Sequence, residues 1–305
     1  MTDTKPTMVG QLAFKSAVVT GGTDGVGKEI ARGLACKGVR LIIIGSDPVK
    51  GSRAECEIKG KTGNAEVRYI QADLSLVSET NRLADEVAAH WPALHYLVHS
   101  AGIVRGRQTL TAEGIESNFA INYLSRFTLT QRLLPLLEAA GRPGETARIV
   151  NIGGAAQNGK IHYDDVNLTA NFNTVRAVMQ FCQANDVFTV EQARRIGIHE
   201  KQTRVTIINL KLGVVKTNIR SEFPLWMKLL VSLVFDPLLG QTPQEAADVA
   251  LGLLLNQEFE GVTGCLFLKI KRFKQVSPGT HTLDQTQGRR LWKLSESLTR
   301  KALTQ

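Results

Sequence analysis

The sequence predicts an α/β fold: a doubly wound parallel sheet of about seven strands with helices on both faces. Two observations carry this prediction. Short apolar runs lack the polar alternation of half-buried strands, and a helical segment separates most of these runs from the next. Continuous apolar runs are typical of strands covered on both faces, as in parallel sheets. The alternation of strand and helix implies right-handed crossovers between parallel neighbours.

Seven apolar runs supply the predicted strands: Ala17–Val19, Leu41–Ile44, Val67–Gln71, Tyr96–His99, Arg148–Ile152, Val205–Leu210 and Cys265–Leu268. Six segments supply the predicted helices: Lys28–Lys37, Val49–Lys59, Ser78–His90, Phe119–Ala139, Thr174–Ile196 and Pro243–Leu255. Gly38 closes the first helix, and the helix from residue 119 to 139 shows apolar residues at helical spacing. With no second core and no internal repeat, residues 1–305 are expected to form a single domain. Its last part, residues 270–305, is expected to be a C-terminal tail.

Composition and charge favour a globular protein that does not bind nucleic acid. The 305 residues are 43% hydrophobic and 21% charged, which suits a packed core. The net charge is +9, yet Lys and Arg are spread along the chain without a basic block interleaved with aromatic residues. The densest basic patch, Lys269–Lys274, is expected to be a solvated strand end or tail.

Cysteine usage and hydropathy bear on the compartment. The four cysteines are widely spaced, form no C-x-x-C pair and follow no secretory signal. We therefore expect reduced thiols in a cytoplasmic protein. No stretch reaches the ~18 apolar residues of a spanning helix, so no transmembrane segment is expected. No metal site is expected either.

A glycine-rich turn joins the first strand to the first helix. Gly21, Gly25 and Gly27 allow the backbone to turn tightly and let a pyrophosphate approach the N-terminus of the helix. The free N–H groups and the helix dipole there favour anions. Because the turn follows a strand and opens a helix, it predicts a dinucleotide site in a Rossmann-type sheet.

The same turn resembles a family motif. Residues Thr20–Gly27 read T-G-x-x-x-G-x-G, the cofactor motif of the short-chain dehydrogenase/reductase (SDR) family. Asp73-Leu74 and Ser100-Ala101-Gly102 resemble the family's adenine-contacting D-L and its N-N-A-G segment. Asn122 resembles the structural and catalytic Asn, and Gly213–Thr217 resembles the P-G-x-V-x-T segment. The likeness spans nearly the whole chain, and the tail is similar to that of retinol-dehydrogenase-like and fungal SDRs.

The resemblance implies a nicotinamide dinucleotide cofactor. The residues it assigns to cofactor binding are Gly21, Thr23, Asp24, Gly25, Val26, Gly27, Ser46, Asp73, Leu74, Ala101, Gly102, Asn122, Val214 and Thr217. Thr217 would contact the nicotinamide amide.

The tip of the second strand favours NADP over NAD. An acidic residue at this tip binds the ribose 2′-OH of NAD and repels a 2′-phosphate. Here the usual position is not acidic, Ser46 can donate to a phosphate oxygen, and Lys50 and Arg53 follow. Asp24 argues for NAD, because NADP-preferring relatives often carry a basic residue in that loop.

The proton relay of the family is missing from the sequence. SDRs protonate the nascent alkoxide from a Tyr whose pKa is lowered by a Lys one helical turn later, beside an orienting Ser. By the resemblance, these three positions are Gly154 for Ser, Val178 for Tyr and Cys182 for Lys. No Y-x-x-x-K occurs anywhere in the chain.

Three interpretations of this loss stay open. A cationic acceptor such as an iminium takes hydride without needing a proton, so an oxidoreductase can work without the relay. Such an enzyme would act on a hydrophobic, secondary-metabolite-like substrate. Alternatively, the protein is a catalytically silent, nucleotide-binding pseudoenzyme, or the fold serves a non-redox cyclisation or isomerisation.

The candidate catalytic residues are Asn122, Arg126 and Tyr163, and the last two each have a plainer alternative. Arg126 follows Asn122 by one turn and would hold an anionic or carbonyl group, unless it is a helix-surface charge. Tyr163 is a candidate proton donor, although packing is its usual role in relatives. Cys182 is a weak acid or inert filler, and His99 is expected to be structural.

An apolar stretch, Phe223–Gly240, follows Thr217, where SDRs place a substrate lid. We predict a lid over residues 218–241 and hence an apolar, fairly large substrate. The alternatives are a patch for peripheral membrane contact and a homodimer contact.

Overall fold

An eight-stranded sheet forms the centre of the computed structural model, which describes residues 12–199, 204–215 and 240–303. The strands are β1 Ser16–Thr20, β2 Arg40–Gly45, β3 Val67–Gln71, β4 Tyr96–His99, β5 Ala147–Gly154, β6 Val205–Leu212, β7 Cys265–Lys269 and β8 Phe273–Val276. Their order is β3-β2-β1-β4-β5-β6-β7-β8, and β1 to β7 are mutually parallel. The doubly wound parallel sheet is therefore confirmed, with all seven predicted strands.

The eighth strand was not predicted. Residues Phe273–Val276 pair antiparallel with β7 at the edge of the sheet. Three of these four residues are exposed in the structure. A strand on an exposed edge needs no apolar run, so no sequence signal marks it. The basic patch Lys269–Lys274 therefore forms the end of β7, its turn and the start of an edge strand.

Helices cover the sheet on both faces. They are α1 Gly25–Ala35, α2 Pro48–Thr62, α3 Val77–His90, α4 Ser117–Phe119, α5 Ser125–Ala140, α6 Thr174–His199, α7 Pro243–Leu255, α8 Thr280–Leu283 and α9 Gln285–Ala302. One core lies between the sheet and α1, α2 and α7, and the other lies between the sheet and α3, α5, α6 and α9. No helix in the described ranges has the length and apolar character needed to cross a membrane.

The predicted helix over residues 119–139 is not uniform. A π-helical segment, Ala120–Leu124, joins the single turn of α4 to α5 and contains Asn122. Single π-helical turns inside helices are frequent at functional sites.

The predicted tail folds back onto the body of the protein. Trp292 of α9 packs edge-on against Phe127 of α5, with ring centroids 5.0 Å apart. The Tyr123 hydroxyl and Ser295 Oγ lie 2.6 Å apart and are buried. Helix α9 therefore closes the outer side of the α5–α6 layer, next to the predicted catalytic residues.

Candidate active site

The glycine-rich turn has the backbone geometry that a phosphate cradle needs. Gly21 and Gly25 adopt φ values of 65° and 52°, which L-residues with side chains rarely take. A Cβ at Gly27 would lie 2.3 Å from the Gly21 carbonyl oxygen, so only glycine fits there. Helix α1 begins at Gly25, and the Asp24 Oδ1 accepts a bond from the Gly25 N–H at 2.7 Å. Thr23, Asp24 and Val26 lie in the same turn.

The glycine-rich turn lies opposite the segment after β4. Between β1 and β4 the strand order of the sheet reverses. Thr20 Oγ1 accepts bonds from the Ser100 N–H at 3.1 Å and the Ala101 N–H at 3.2 Å. A Cβ on Gly21 would lie 2.8 Å from the Ala101 backbone. Ala101 and Gly102 thus form the second wall of a crevice at the carboxyl ends of β1 and β4, which is where dinucleotides bind in open α/β sheets.

The tip of β2 is open and basic. Ser46, Lys50 and Arg53 are all exposed. The Oδ1 atom of Asp47 accepts bonds from the Val49 and Lys50 N–H groups, both at 3.0 Å, so its carboxylate caps α2.

The tip of β3 forms a further part of the predicted crevice. Asp73 is exposed, and its Oδ1 accepts a bond from the Ser75 N–H at 2.9 Å. The neighbouring Leu74 is buried. Both residues follow β3 directly, at its carboxyl end, and their contact with adenine stays a prediction.

The Asn122 side chain is bonded to the backbone of Ile103 and Asn118. Its Oδ1 accepts a bond from the Ile103 N–H at 3.1 Å, and its Nδ2 donates to the Ile103 and Asn118 carbonyl oxygens at 2.8 Å. The Asn122 carbonyl accepts a bond from Asn185 Nδ2 at 2.9 Å, which ties it to α6. Asn122 is therefore a positioning residue that fixes the crevice wall after Gly102.

Two of the three positions assigned to the relay, Gly154 and Cys182, lie next to each other at the end of β5. A Cβ on Gly154 would lie 3.3 Å from Cys182 Sγ, and no other atom is found within 4 Å of it. Val178 is half-buried one helical turn before Cys182. Burial raises the pKa of the Cys182 thiol to about 11, although Lys211, Arg126 and the Gly154 backbone oppose the rise. The thiol is thus protonated at neutral pH.

Arg126 is buried, so the alternative that it is a helix-surface charge is wrong. It is 4% exposed, and its Nη2 donates to the Ala101 carbonyl oxygen at 3.2 Å. Its Nε and Nη1 atoms have no hydrogen-bond partner among the residues that the structure describes. Burial lowers the pKa of its guanidinium to about 10, which leaves Arg126 a cation at pH 7.

Tyr163 lies against α9. Its hydroxyl donates to the Gln287 carbonyl oxygen at 3.3 Å, and the Arg290 guanidinium lies 4.2 Å from its ring centroid. Burial raises the pKa of its phenol to about 12, although Arg290 opposes the rise. These contacts favour a packing role over proton donation.

A buried ion pair beside the thiol was missed in the sequence. The Lys211 ammonium on β6 pairs with the Asp186 carboxylate on α6, and Asn209 Nδ2 donates to the other carboxylate oxygen at 2.7 Å. Burial raises the pKa of Asp186 despite both partners. Asp186 follows Cys182 by one helical turn, so the spacing of Val178, Cys182 and Asp186 on one face of α6 could have revealed it.

Relatives identify the family. Residues 15–164 match the model for short chain dehydrogenases. The chain is 33% identical to retinol dehydrogenase 12 of Bos taurus over 287 residues, 93% of this chain and 86% of that protein. It is 30% identical to polyprenol dehydrogenase of Homo sapiens over 284 residues, 93% of this chain and 84% of that protein. The chain belongs to the short-chain dehydrogenase/reductase family.

Solved structures agree on the fold of this SDR. RhlG of Pseudomonas aeruginosa, in an active-site complex with NADP, has a TM-score of 0.66 and is 24% identical. The match covers 84% of this chain and 95% of RhlG. At this level of identity the likeness shows the fold alone.

Part of the predicted SDR site lies outside the described residues. Thr217 and nearly all of the predicted lid belong to residues 216–239. The strand that leads to them ends in an ordered contact, because the Val214 carbonyl accepts a bond from the Gln241 N–H at 2.9 Å. His99 is buried, and its Nε2 lies 3.0 Å from Thr130 Oγ1, which fits the expected structural role.

The Cys182 thiol should resist alkylation. Because only the thiolate reacts and burial raises the pKa of Cys182 to about 11, it should stay unmodified by iodoacetamide at pH 8. Cys36 and Cys56 are exposed and serve as internal controls that should react. Peptide mass spectrometry of native and denatured protein measures this. Rapid native modification of Cys182 would show instead that the thiol is an activated acid.

Proposed function

We propose that this SDR is an oxidoreductase that binds NADP(H) and acts on a hydrophobic, secondary-metabolite-like substrate. In this proposal, hydride transfer does not use the Tyr and Lys relay of the family. The observation that supports it is the glycine-rich turn at the carboxyl ends of β1 and β4, together with Gly154, Val178 and Cys182, where the family pattern has Ser, Tyr and Lys. The apolar sequence of the predicted lid supports a hydrophobic substrate.

The cofactor part of the proposal rests on the residues of the crevice. The N-terminus of α1 and the glycine turn would hold the pyrophosphate, and Asp73 would lie at the adenine end. Ser46, Lys50 and Arg53 would hold the 2′-phosphate, and Val214 and Thr217 would lie at the nicotinamide. RhlG, a relative of similar fold, was solved with NADP, which supports the same choice here.

The residues of the site would have separate roles in the proposed reaction. A bound NADPH supplies the hydride. Asn122 fixes the backbone of Ile103, after Ala101 and Gly102, and so would orient a cofactor bound against this segment. Arg126 contributes a positive charge near the relay positions. The neutral Cys182 thiol, with a pKa of about 11, contributes packing rather than acid catalysis.

A catalytically silent nucleotide-binding protein is the second candidate. The weak acids nearest the site favour it: burial raises the pKa of Cys182 to about 11 and that of Tyr163 to about 12, so both are poor proton donors at pH 7. Binding of NADPH is common to both candidates, and only hydride transfer separates them.

Fluorescence titration with NADPH and with NADH tests the cofactor assignment. The wild type should bind NADPH more tightly. A carboxylate at the β2 tip would repel the 2′-phosphate, so Ser46→Asp should weaken NADPH binding on the order of tenfold or more. Binding of NADH should not weaken in this variant, and Ser52→Asp on the exposed side of α2 is the matched control. A wild type that binds neither dinucleotide would refute the proposed function.

A further inference from the structure

A buried guanidinium with unused donors lies beside the relay positions. Within residues 12–199, 204–215 and 240–303, the Nε and Nη1 atoms of Arg126 have no hydrogen-bond partner, and the residue is 4% exposed. Buried N–H groups of a charged side chain are costly when unpaired, so natural proteins rarely leave them so. Such a group indicates a partner that binds from outside the chain.

The groups that face Arg126 do not neutralise it. On β4, burial and Arg126 itself keep the pKa of His99 well below its usual value, so His99 is neutral. On α6, the Cys182 thiol is neutral, and the Asp186 carboxylate is already bonded to Lys211 and Asn209. Across the described ranges, no carboxylate pairs with Arg126. The surroundings of Arg126 therefore carry an excess of positive charge.

The neighbouring positions on β5 and α6 carry small side chains. Gly154 is exposed and has no side chain. Val178 and Cys182 are smaller than the Tyr and Lys of the family pattern. We call the region formed by Gly154, Val178, Cys182 and Arg126 the relay pocket; Cys182 lies next to Gly154 and interacts electrostatically with Arg126. Arg126 reaches it from α5, whereas the family's lysine would reach it from α6.

We propose that Arg126 binds an oxygen anion of the ligand in the relay pocket. This inference rests on the proposed function and names the chemistry of its substrate. When hydride from NADPH adds to a carbonyl carbon, the C=O π pair moves to oxygen and NADP⁺ remains. The guanidinium stabilises that oxygen anion until water protonates it. A cationic acceptor such as an iminium would instead meet a like charge, so this account excludes it.

Three probes with one apolar tail test the inference by calorimetric titration of the NADPH-saturated protein at pH 7. Decanoate carries an oxygen anion, decan-1-ol is neutral and decylamine is a cation. Decanoate should bind at least about tenfold more tightly than the other two, because hydrogen bonds to charged groups are worth that much. Equal binding of the three probes, or no binding of decanoate, would overturn the inference.

Variants assign the effect to Arg126. Arg126→Leu should weaken decanoate binding about 10- to 100-fold and leave NADPH affinity within a few-fold. Arg126→Lys should keep part of the decanoate affinity. Arg132→Leu, on the exposed side of the same helix, should change neither. Adding Cys182→Lys to Arg126→Leu should restore decanoate binding by returning a cation to the pocket from α6.

Stability separates a ligand-binding role from a structural one. Because Arg126 pairs with no carboxylate among the described residues and makes one hydrogen bond, to the Ala101 carbonyl, its replacement by Leu should lower the melting temperature by only about a few degrees. A large fall in melting temperature, or unchanged decanoate affinity in Arg126→Leu, would show that Arg126 serves the fold alone. Failure of the wild type to bind NADPH would instead refute the proposed function, so the two failures are distinguishable.

Discussion

Rebuilding the relay should raise turnover of a simple apolar ketone by about 10²- to 10⁴-fold, the range of general-acid catalysis. The variant combines Gly154→Ser, Val178→Tyr and Cys182→Lys. The nearest atom to a Cβ on Gly154 is Cys182 Sγ, 3.3 Å away, and the lysine that replaces Cys182 must shift its chain slightly to make room. The new lysine, with Arg126 and Lys211 nearby, would lower the pKa of the new phenol. The measurement is kcat at saturating NADPH, with melting temperature as the check on folding.

The decisive comparison is turnover of the native substrate by the wild type and by the triple variant. Val175→Tyr, which adds an exposed phenol one turn before Val178, is the matched control and should give no gain. If the native substrate places its oxygen on Arg126, the oxygen anion is already stabilised without a proton donor, so turnover of the native substrate should change little in the triple variant. A gain of several orders of magnitude on the native substrate would show a damaged carbonyl reductase and would end the relay-independent account.

Gly25→Asp should abolish dinucleotide binding. Gly25 has φ 52°, which a residue with a side chain adopts only under strain, and the new carboxylate would face the pyrophosphate at the N-terminus of α1. NADPH fluorescence titration should show binding in the wild type and none in the variant. Gly60→Asp adds the same charge where no atom lies within 4 Å and should bind NADPH normally. Full binding by Gly25→Asp would place the cofactor elsewhere.

The sequence was informative where local chemistry decides the structure. Continuous apolar runs located β1 to β7, because strands covered on both faces need them. The glycines of the first turn predicted the phosphate cradle, because their backbone angles and close contacts exclude side chains. Strand β8 escaped prediction since its residues are exposed and only pairing with β7 orders them.

The candidate site depends more on tertiary contacts, and the sequence was less informative there. Whether Arg126 is buried depends on how α5 turns against β4 and α6, which the π-helical segment before it also affects. The sequence made Tyr163 a candidate proton donor, because the packing of α9 against it depends on tertiary structure. Lys211 and Asp186 are 25 residues apart in the chain. They meet because α6 packs against the sheet in which β6 pairs with β5.

Deuterium transfer from [4-²H]NADPH tests the central claim most directly. The enzyme is incubated with the labelled cofactor, both C4 epimers in turn, and with apolar ketones and conjugated enones, and the products are analysed by mass spectrometry. The account predicts deuterium in the reduced product from one epimer with the wild type, and none with Gly25→Asp. Bound NADPH that transfers no deuterium to any acceptor would contradict it and would identify a silent nucleotide-binding protein.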